Sequence, residues 1–169
     1  MNEFDEYSAR REEFIAKHPD LPEPQPVECL NLIMRKEFAQ EIIDGKKTVE
    51  IRAYSKHYTE RLYDQKVLEY EKRHWEDEEM RQGILEFTDS IRPVKRIHFH
   101  NYNNTWSLDV SCVENGTVIV NDEQVKYLQD EYDCHEFDEM LEDLNRKKTS
   151  DRPIFFFFAI GEIIDRFNI

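Results

Sequence analysis

The sequence is poor in the residues that mark several common protein classes. It has four glycines in 169 residues, and no phosphate-binding glycine loop, nucleophile elbow or zinc-protease motif is present. Its three cysteines are odd in number and have no paired spacing, which argues against a disulfide framework and is typical of a reducing compartment. The glycine and cysteine content therefore excludes P-loop enzymes and disulfide-rich secreted modules.

Long apolar segments are also missing. No run approaches the roughly 20 apolar residues that a transmembrane helix needs. The longest, residues 153–164, has the composition of a strand and is interrupted by Gly161. The residues that follow Met1 are acidic, unlike the basic start of a secretory signal. We therefore expect a soluble, cytoplasmic protein with no membrane partner.

A positive net charge is absent as well. The chain carries 23 Lys and Arg against 37 Asp and Glu, a formal net charge of -14. Because phosphate neutralisation supplies most nonspecific affinity for nucleic acid, nonspecific DNA binding is not expected. The acidic excess lies in the flanks, whereas residues 31–100 contain 14 basic and 14 acidic side chains. A local site for an anionic ligand is therefore compatible with the charge pattern.

The length and composition fit one domain with a sizeable core. Hydrophobic residues make up 39% of the chain and aromatic residues 12%, which is enough for a globular fold. Residues 1–26 are predicted to be an amphipathic helix followed by a proline-rich linker. The apolar stripe of this helix, which includes Phe14, predicts that it packs back on the protein. Residues 27–169 form the predicted main domain.

The strongest local pattern lies in residues 29–54. It predicts a short strand, a helix of about three turns, a glycine stop and a second strand. Gly45 stands where a helix C-terminus favours a left-handed residue. Lys47 follows it, and alternation along the second strand places Glu50 and Arg52 on one side. The pattern thus brings cationic and anionic side chains together just after the helix.

The residues from Gly45 to Arg52 (GKKTVEIR) resemble the hallmark of the ASCH family, a branch of the PUA-like superfamily of small β-barrels. In that family a helix ending in glycine leads into a strand of the form basic-Lys-Thr-hydrophobic-Glu-hydrophobic-Arg. Residues 155–164 (FFFFAIGEII) are similar to the family's closing strand. The resemblance covers residues 29–169 except for a large middle insertion. It implies an α+β fold, built on a PUA-like, partly open, antiparallel or mixed β-barrel.

The middle of the chain predicts a helical insertion and further strands. Residues 55–82 lack proline and glycine and predict one long helix, or two with a break near Asp77, ended by Gly83. Residues 93–101 and 107–113 alternate as strands. The Asn115-Gly116 pair that follows is a two-residue hairpin signal.

The last third predicts two helices and a closing strand. The first helix runs from Asn121 or Asp122 to about residue 132, and the second runs from about residue 135 to 146. Four consecutive phenylalanines then predict a central strand that is covered on both faces. Cys29 and Cys112 lie in apolar strand patterns, and we expect both thiols to be buried.

Lys47, Glu50 and Arg52 are the central candidates for ligand contact. An ammonium, a carboxylate and a guanidinium can together hold a phosphate and read the edge of a base. Lys46 extends the basic corner. The alternative is that Glu50 forms an ion pair with Arg52 or Lys47 and that no ligand binds there.

Aromatic and histidine side chains supply the other candidates. Tyr54, Tyr102 and Trp106 lie in or beside predicted loops, where a ring can stack on a base or cap the core. His98 and His100, two apart on a strand, project on the same face and can contact a ligand. No third ligand of recognisable spacing accompanies them. No metal site and no cofactor are therefore predicted.

These residues favour a protein that binds RNA or a nucleotide-like ligand in a cleft between the helix preceding Gly45 and the barrel. Two alternatives stay open. Some ASCH proteins resemble amidohydrolases acting on acetylated cytidine, which implies an enzyme for an acylated nucleoside with Lys47 and Glu50 as catalytic residues. The catalytic Thr of those proteins falls at Glu50 here. The other alternative is a protein–protein adaptor that uses the acidic helices.

Overall fold

The computed structural model describes residues 2–169 and shows an α+β fold. The described residues form five strands: β1 (Leu30–Ile33), β2 (Val49–Ala53), β3 (Arg96–His100), β4 (Ser107–Ile119) and β5 (Ile154–Phe167). They also form seven helices: α1 (Glu3–Lys17), α2 (Lys36–Ile43), α3 (Lys56–Leu62), α4 (Gln65–His74), α5 (Glu78–Phe87), α6 (Asp122–Tyr132) and α7 (Asp138–Lys147). Within residues 2–169, no helix combines the length and apolar character that crossing a bilayer requires.

The chain divides into two compact units. One consists of the N-terminal residues through Gln25 together with Glu60–Arg92, and the other consists of Pro26–Thr59 together with Pro93–Ile169. The first unit is helical, and the second contains all five strands. The N-terminal helix thus shares a unit with α4 and α5, which make up most of the helical insertion.

Helix α1 packs against α5 through aromatic rings and a glycine. The ring centroids of Phe14 and Phe87 lie 5.5 Å apart, and the Tyr7 hydroxyl donates to the Glu86 carbonyl at 3.0 Å. A Cβ at Gly83 would lie 2.2 Å from the Phe14 ring, so only glycine allows this close approach. The prediction that Gly83 ends a helix is therefore wrong, because α5 continues past it and the glycine serves helix packing.

The insertion predicted over residues 55–82 forms three helices. Asp77 is the N-cap of α5, and its carboxylate accepts the Met80 N–H at 3.1 Å, which confirms the predicted break. A further break lies at Asp64, whose carboxylate accepts the Val67 N–H at 3.3 Å. Aspartate is a strong N-cap, so Asp64 is a signal that the sequence interpretation missed.

The second unit is built on a mixed five-stranded sheet with the order β1-β3-β4-β5-β2. β1 pairs in parallel with β3, and the other neighbouring strands are antiparallel. β1 and β2 are thus opposite edges, yet Arg52 of β2 donates to the Ile33 carbonyl of β1 at 2.8 Å. A contact between opposite edges requires the sheet to curl. The sheet is therefore a half-barrel, which confirms the prediction of a partly open barrel at this coarse level.

Helices α6 and α7 cover one face of β2 and β5. Val49 and Phe157 are buried in a cluster with Leu128 of α6. The alternate residues Phe156 and Phe158 point to the other face and are also buried. Because β5 lies between β4 and β2, the prediction of a central last strand covered on both faces is confirmed for its first half, whereas residues 162–167 are exposed.

The predicted hairpin at Asn115-Gly116 is wrong. Strand β4 continues through this pair to Ile119, with Gly116 opposite Phe157 of β5. The Asn115 side chain instead accepts the Val94 N–H at 2.8 Å. The long pairing with β5 therefore overrides the local turn preference.

The other local predictions have mixed outcomes. The N-cap of α6 is confirmed at Asn121, whereas α7 begins at Asp138, a few residues later than expected. The prediction of buried thiols is wrong for Cys29, which lies just before β1 and is exposed, and Cys112 is only partly buried. The buried thiol belongs to Cys134.

Candidate functional site

Helix α2 and its glycine stop place the predicted basic corner at the start of β2. Gly45 has a φ of 76°, the left-handed conformation that glycine adopts without steric strain. The Lys46 N–H returns to the Glu41 carbonyl at 2.9 Å and ends the helix. At the start of β2, the Lys47 side chain is therefore largely buried, while Lys46 remains exposed.

Lys47, Glu50 and Arg52 form a continuous series of ion pairs, called here the β2 ion-pair chain. Lys47 Nζ lies 3.7 Å from one Glu50 carboxylate oxygen, and Arg52 Nη2 lies 3.3 Å from the other. Glu50 is only 6% exposed, and the Lys47 side chain is 8% exposed. The alternation predicted for Glu50 and Arg52 is thus present, but their charges are directed at each other.

Further protein groups occupy both ends of the β2 ion-pair chain. Lys47 Nζ lies 2.8 Å from Glu136 and 5.9 Å from the centre of the Phe38 ring. At the other end, Arg52 donates to the Tyr58 hydroxyl at 3.2 Å as well as to the Ile33 carbonyl. Among residues 2–169, no buried side-chain nitrogen or oxygen lacks a hydrogen-bond partner. The charged groups of the β2 ion-pair chain are therefore paired within the protein. The same contacts connect β2 to both α2 and β1.

The cavity beside Lys47 is small. Its volume is about 160 Å³, below the roughly 300–1,000 Å³ of typical ligand pockets. Burial raises the pKa of the Cys134 thiol in its wall, which disfavours a nucleophilic thiolate. Hydrogen bonds that the His135 ring donates to Asp133, and secondarily to Asp138, raise the pKa of His135. The cavity is lined by Glu41, Lys46, Lys47, Thr48, Val49, Asp133, Cys134, His135 and Glu136.

A much larger depression, called here the α2 groove, lies at the beginning of α2. Its volume is about 740 Å³, within the roughly 300–1,000 Å³ of typical ligand pockets. The end of β1, the first turn of α2 and the loop after β3 form its walls. The lining residues are Ile33, Met34, Arg35, Lys36, Glu37, Phe38, Asn101 and Tyr102.

The charged side chains of the α2 groove are available to a ligand. Neither Arg35 nor Lys36 forms an ion pair with a carboxylate anywhere in residues 2–169, and both are exposed. Arg35 is the N-cap of α2 but makes no side-chain capping bond. Cations at this end of a helix oppose the helix dipole. Such a local conflict is a known mark of functional positions, and it is the signal by which the sequence could have revealed them.

Two aromatic rings of the α2 groove are exposed. Tyr102 is 84% exposed and Phe38 45% exposed. The sequence identified Tyr102 as a possible stacking residue, whereas Phe38 was not among the predicted site residues. Exposed rings beside unpaired cations can stack on a flat ring of a ligand while the cations hold its anionic group.

The other aromatic candidates lie elsewhere. Trp106 is only 4% exposed, and Tyr54 stacks on Phe156 with a centroid distance of 5.0 Å. Neither residue lines the α2 groove. The structure therefore brings Tyr102 to the groove but does not bring Tyr54 or Trp106 to it.

His98 and His100 lie in a polar cluster on β3. Asp109 of β4 accepts hydrogen bonds from His98 Nδ1 and from the Arg96 guanidinium. Burial opposes ionisation of Asp109, but the bonds from Arg96 and His98 outweigh it and hold the pKa of the carboxyl below its usual value. The His98 and His100 rings stack with centroids 5.4 Å apart. This cluster does not include any residue of the α2 groove.

Comparisons with known proteins add no assignment. No protein-family model matches the chain, and no curated protein or solved structure gives a significant match. No match therefore assigns a role to the residues of the candidate sites.

Proposed function

We propose that the protein binds a nucleotide unit, free or within RNA, in the α2 groove. The main observation behind this proposal is that two cations without an ion-pair partner, Arg35 and Lys36, line the same groove as the exposed Tyr102 and Phe38 rings. A nucleotide presents an anionic phosphate and a flat base a short distance apart. The groove offers a complementary group for each within one depression of about 740 Å³.

Each part of a nucleotide has a chemical counterpart in the groove. The Arg35 guanidinium can hold a phosphate through two parallel hydrogen bonds, and Lys36 adds a point charge. The N–H groups of Lys36 and Glu37, which have no hydrogen-bond partner among residues 2–169, also favour an anion. Tyr102 or Phe38 supplies a stacking surface, worth about 1–3 kcal/mol per base. Glu37 offers a carboxylate to a ribose hydroxyl or a base amino group.

In this proposal the β2 ion-pair chain positions the groove and does not contact the ligand. Its Arg52 end holds the Ile33 carbonyl, and its Lys47 end lies against the Phe38 ring. Both Ile33 and Phe38 line the groove. The resemblance of residues 45–52 to the ASCH motif supports a PUA-like barrel with its ligand cleft beside this helix.

The test is a titration at low salt with adenosine, cytidine, guanosine and uridine monophosphates and with short RNAs of mixed sequence. We expect saturable binding by the unaltered protein and a loss of about 10-fold or more in affinity for the Arg35→Ala/Lys36→Ala double variant. The matched control is Lys126→Ala/Arg146→Ala, which removes two exposed cations from α6 and α7. Equal weakening in both double variants, or no binding by the unaltered protein, contradicts the proposal.

The stacking part of the proposal has its own test. Tyr102→Ala is expected to weaken nucleotide binding while leaving the affinity for inorganic phosphate unchanged. The matched control is Tyr127→Phe, an exposed tyrosine on α6. An equal effect of Tyr102→Ala on phosphate and on nucleotide would show that the ring does not contact a base.

The geometry gives less support to hydrolysis of an acylated nucleoside. Lys47 and Glu50 are held in ion pairs, and the neighbouring cavity of about 160 Å³ is small for a nucleoside. Incubation with acylated nucleosides, followed by mass spectrometry, tests this alternative directly. Release of the acyl group, lost in Lys47→Met, would replace the binding proposal.

A further inference from the structure

The His98 and His100 side chains are held in a defined arrangement on β3. Both project from the same face of the strand, because they are two residues apart. Their ring centroids are 5.4 Å apart, with an angle of 27° between the ring planes. Each ring is partly exposed to solvent.

In each ring Nδ1 forms a hydrogen bond within the protein and Nε2 does not. His98 Nδ1 bonds to Asp109 Oδ1, and His100 Nδ1 lies 2.8 Å from the Asn101 carbonyl oxygen. A carbonyl oxygen only accepts hydrogen bonds, so His100 Nδ1 must carry the proton. Neither Nε2 has a hydrogen-bond partner within residues 2–169. Asp109 also accepts from the Arg96 guanidinium, and an ionised carboxylate only accepts, so His98 Nδ1 carries its proton as well. In the neutral rings, both Nε2 atoms therefore present a lone pair.

We propose that Nε2 of His98 and Nε2 of His100 together bind one divalent first-row transition-metal ion, with Zn²⁺ as the reference ion. Imidazole nitrogen suits this class of ion. With metal–nitrogen bonds of about 2.0–2.1 Å at a tetrahedral angle, two imidazole centroids lie roughly 5 Å apart. The observed separation of 5.4 Å is close to that value.

The groups behind the two rings match those of known metal-binding histidines. Such residues commonly donate their second ring N–H to a carboxylate or to a backbone carbonyl, which fixes the tautomer and the ring orientation. His98 bonds in this way to the Asp109 carboxylate, and His100 bonds to the Asn101 backbone carbonyl. Arg96 in turn holds the other oxygen of Asp109. The hydrogen bond at Nδ1 thus fixes the orientation of each ring and leaves Nε2 available to a metal ion.

The two histidines leave other coordination positions open. Within residues 2–169, no group of three or more His, Cys, Asp or Glu side chains has metal-binding geometry. Water therefore completes the coordination, and the affinity is lower than that of a closed structural zinc site. Neither histidine lines the α2 groove, although Asn101, whose carbonyl holds His100, does. The proposal is tested with Zn²⁺ alone, so its outcome does not depend on the proposed nucleotide binding.

The experiment is a calorimetric titration of the full chain with Zn²⁺, combined with nitrogen-15 NMR of the histidine rings. We expect one ion per chain that shifts the Nε2 resonances of His98 and His100. His98→Ala and His100→Ala should each weaken this binding by about 10-fold or more, and Asp109→Asn by about 10- to 100-fold. The matched control is His135→Ala, because both ring nitrogens of His135 bond to aspartates.

A second control concerns Cys29, an exposed thiol whose electrostatic neighbours include Asp109. Cys29→Ser should leave Zn²⁺ binding unchanged. Binding that is lost in Cys29→Ser or His135→Ala but retained in His98→Ala overturns the proposal. The NMR measurement on the unaltered protein decides the matter even if a variant fails to fold, because Nε2 resonances that do not move with Zn²⁺ also overturn it.

Discussion

The β2 ion-pair chain and the cations of the α2 groove use similar side chains in opposite ways. Lys47 and Arg52 are largely buried, and each is paired with Glu50. Arg35 and Lys36 are exposed and lie beside open space. The difference lies in the environment and not in the residue type. A buried cation needs a fixed partner to offset its loss of water, whereas an exposed cation can exchange water for a ligand.

This contrast reverses the order of importance that the sequence motif suggests. The motif residues Lys47, Glu50 and Arg52 hold the two edges of the half-barrel and the start of α2 in place. The adjacent Arg35 and Lys36, which the motif does not include, face the groove. If the comparison is correct, changes in the first set lower stability, and changes in the second set lower ligand affinity alone.

The largest expected effect on stability is that of Glu50→Gln. Removing this carboxylate leaves Lys47 and Arg52 largely buried without their shared partner, and breaking a buried pair in this way costs about 3 kcal/mol. Urea unfolding monitored by circular dichroism measures the change. The matched control is Glu136→Gln, which contacts the same Lys47 but is half-exposed and should cost less than about 1 kcal/mol. Equal losses in both variants would show that burial does not distinguish the two carboxylates.

Asp109→Asn is expected to have the next largest effect, of about 1.5 kcal/mol near neutral pH, because Arg96 and His98 lose a charged acceptor. The pKa of Asp109 is lower in the folded chain than its usual value. Its stabilisation is therefore complete above about pH 4, the unfolded value, and is lost as the pH falls through the folded value. The difference in unfolding free energy between Asp109→Asn and the unaltered protein should shrink on acidification. A difference that is constant from pH 6 to pH 2.5 would contradict this prediction.

Arg52→Lys is expected to cost about 1 kcal/mol, because a lysine keeps the charge but cannot make all three contacts of the guanidinium, with Glu50, Tyr58 and the Ile33 carbonyl. Hydrogen exchange should become faster in β1 and β2, which are the two edges joined by this residue. The comparison variant is Arg96→Lys, whose pair lies within neighbouring strands. Faster exchange at the edges in both variants would show that Arg52 has no special role in curling the sheet.

The smallest expected effect on stability is that of Arg35→Ala/Lys36→Ala. Both side chains are exposed and unpaired, so the free energy of unfolding should change by less than about 0.5 kcal/mol. Nucleotide affinity should nevertheless fall, as proposed above. A loss of stability comparable to that of Glu50→Gln would show that these cations are structural.

Local patterns predicted the elements around the candidate site well. The strand at Leu30, the helix ended by Gly45 and the strand through Glu50 and Arg52 are all present. Each depends on contacts that are close in the sequence, such as the return of the Lys46 N–H to Glu41. Such contacts act on the backbone regardless of the rest of the fold.

The failures occurred where a distant partner overrode a local preference. Asn115-Gly116 is a good turn sequence, but pairing with β5 keeps it in a strand. Gly83 resembles a helix stop, but it serves the approach of Phe14. Neither outcome can be read from the flanking residues, because the deciding atoms belong to other elements.

The sequence by itself determined the class of the fold, the positions of most helices and strands, and the alternation that sets Glu50 beside Arg52, because these follow from backbone geometry and the periodicity of apolar residues. Only the tertiary structure decided which cations are paired and which are open to solvent. Burial and pairing depend on which residues distant in the sequence become neighbours in the fold. Glu136 forms an ion pair with Lys47, whereas no carboxylate among residues 2–169 forms an ion pair with Arg35 or Lys36.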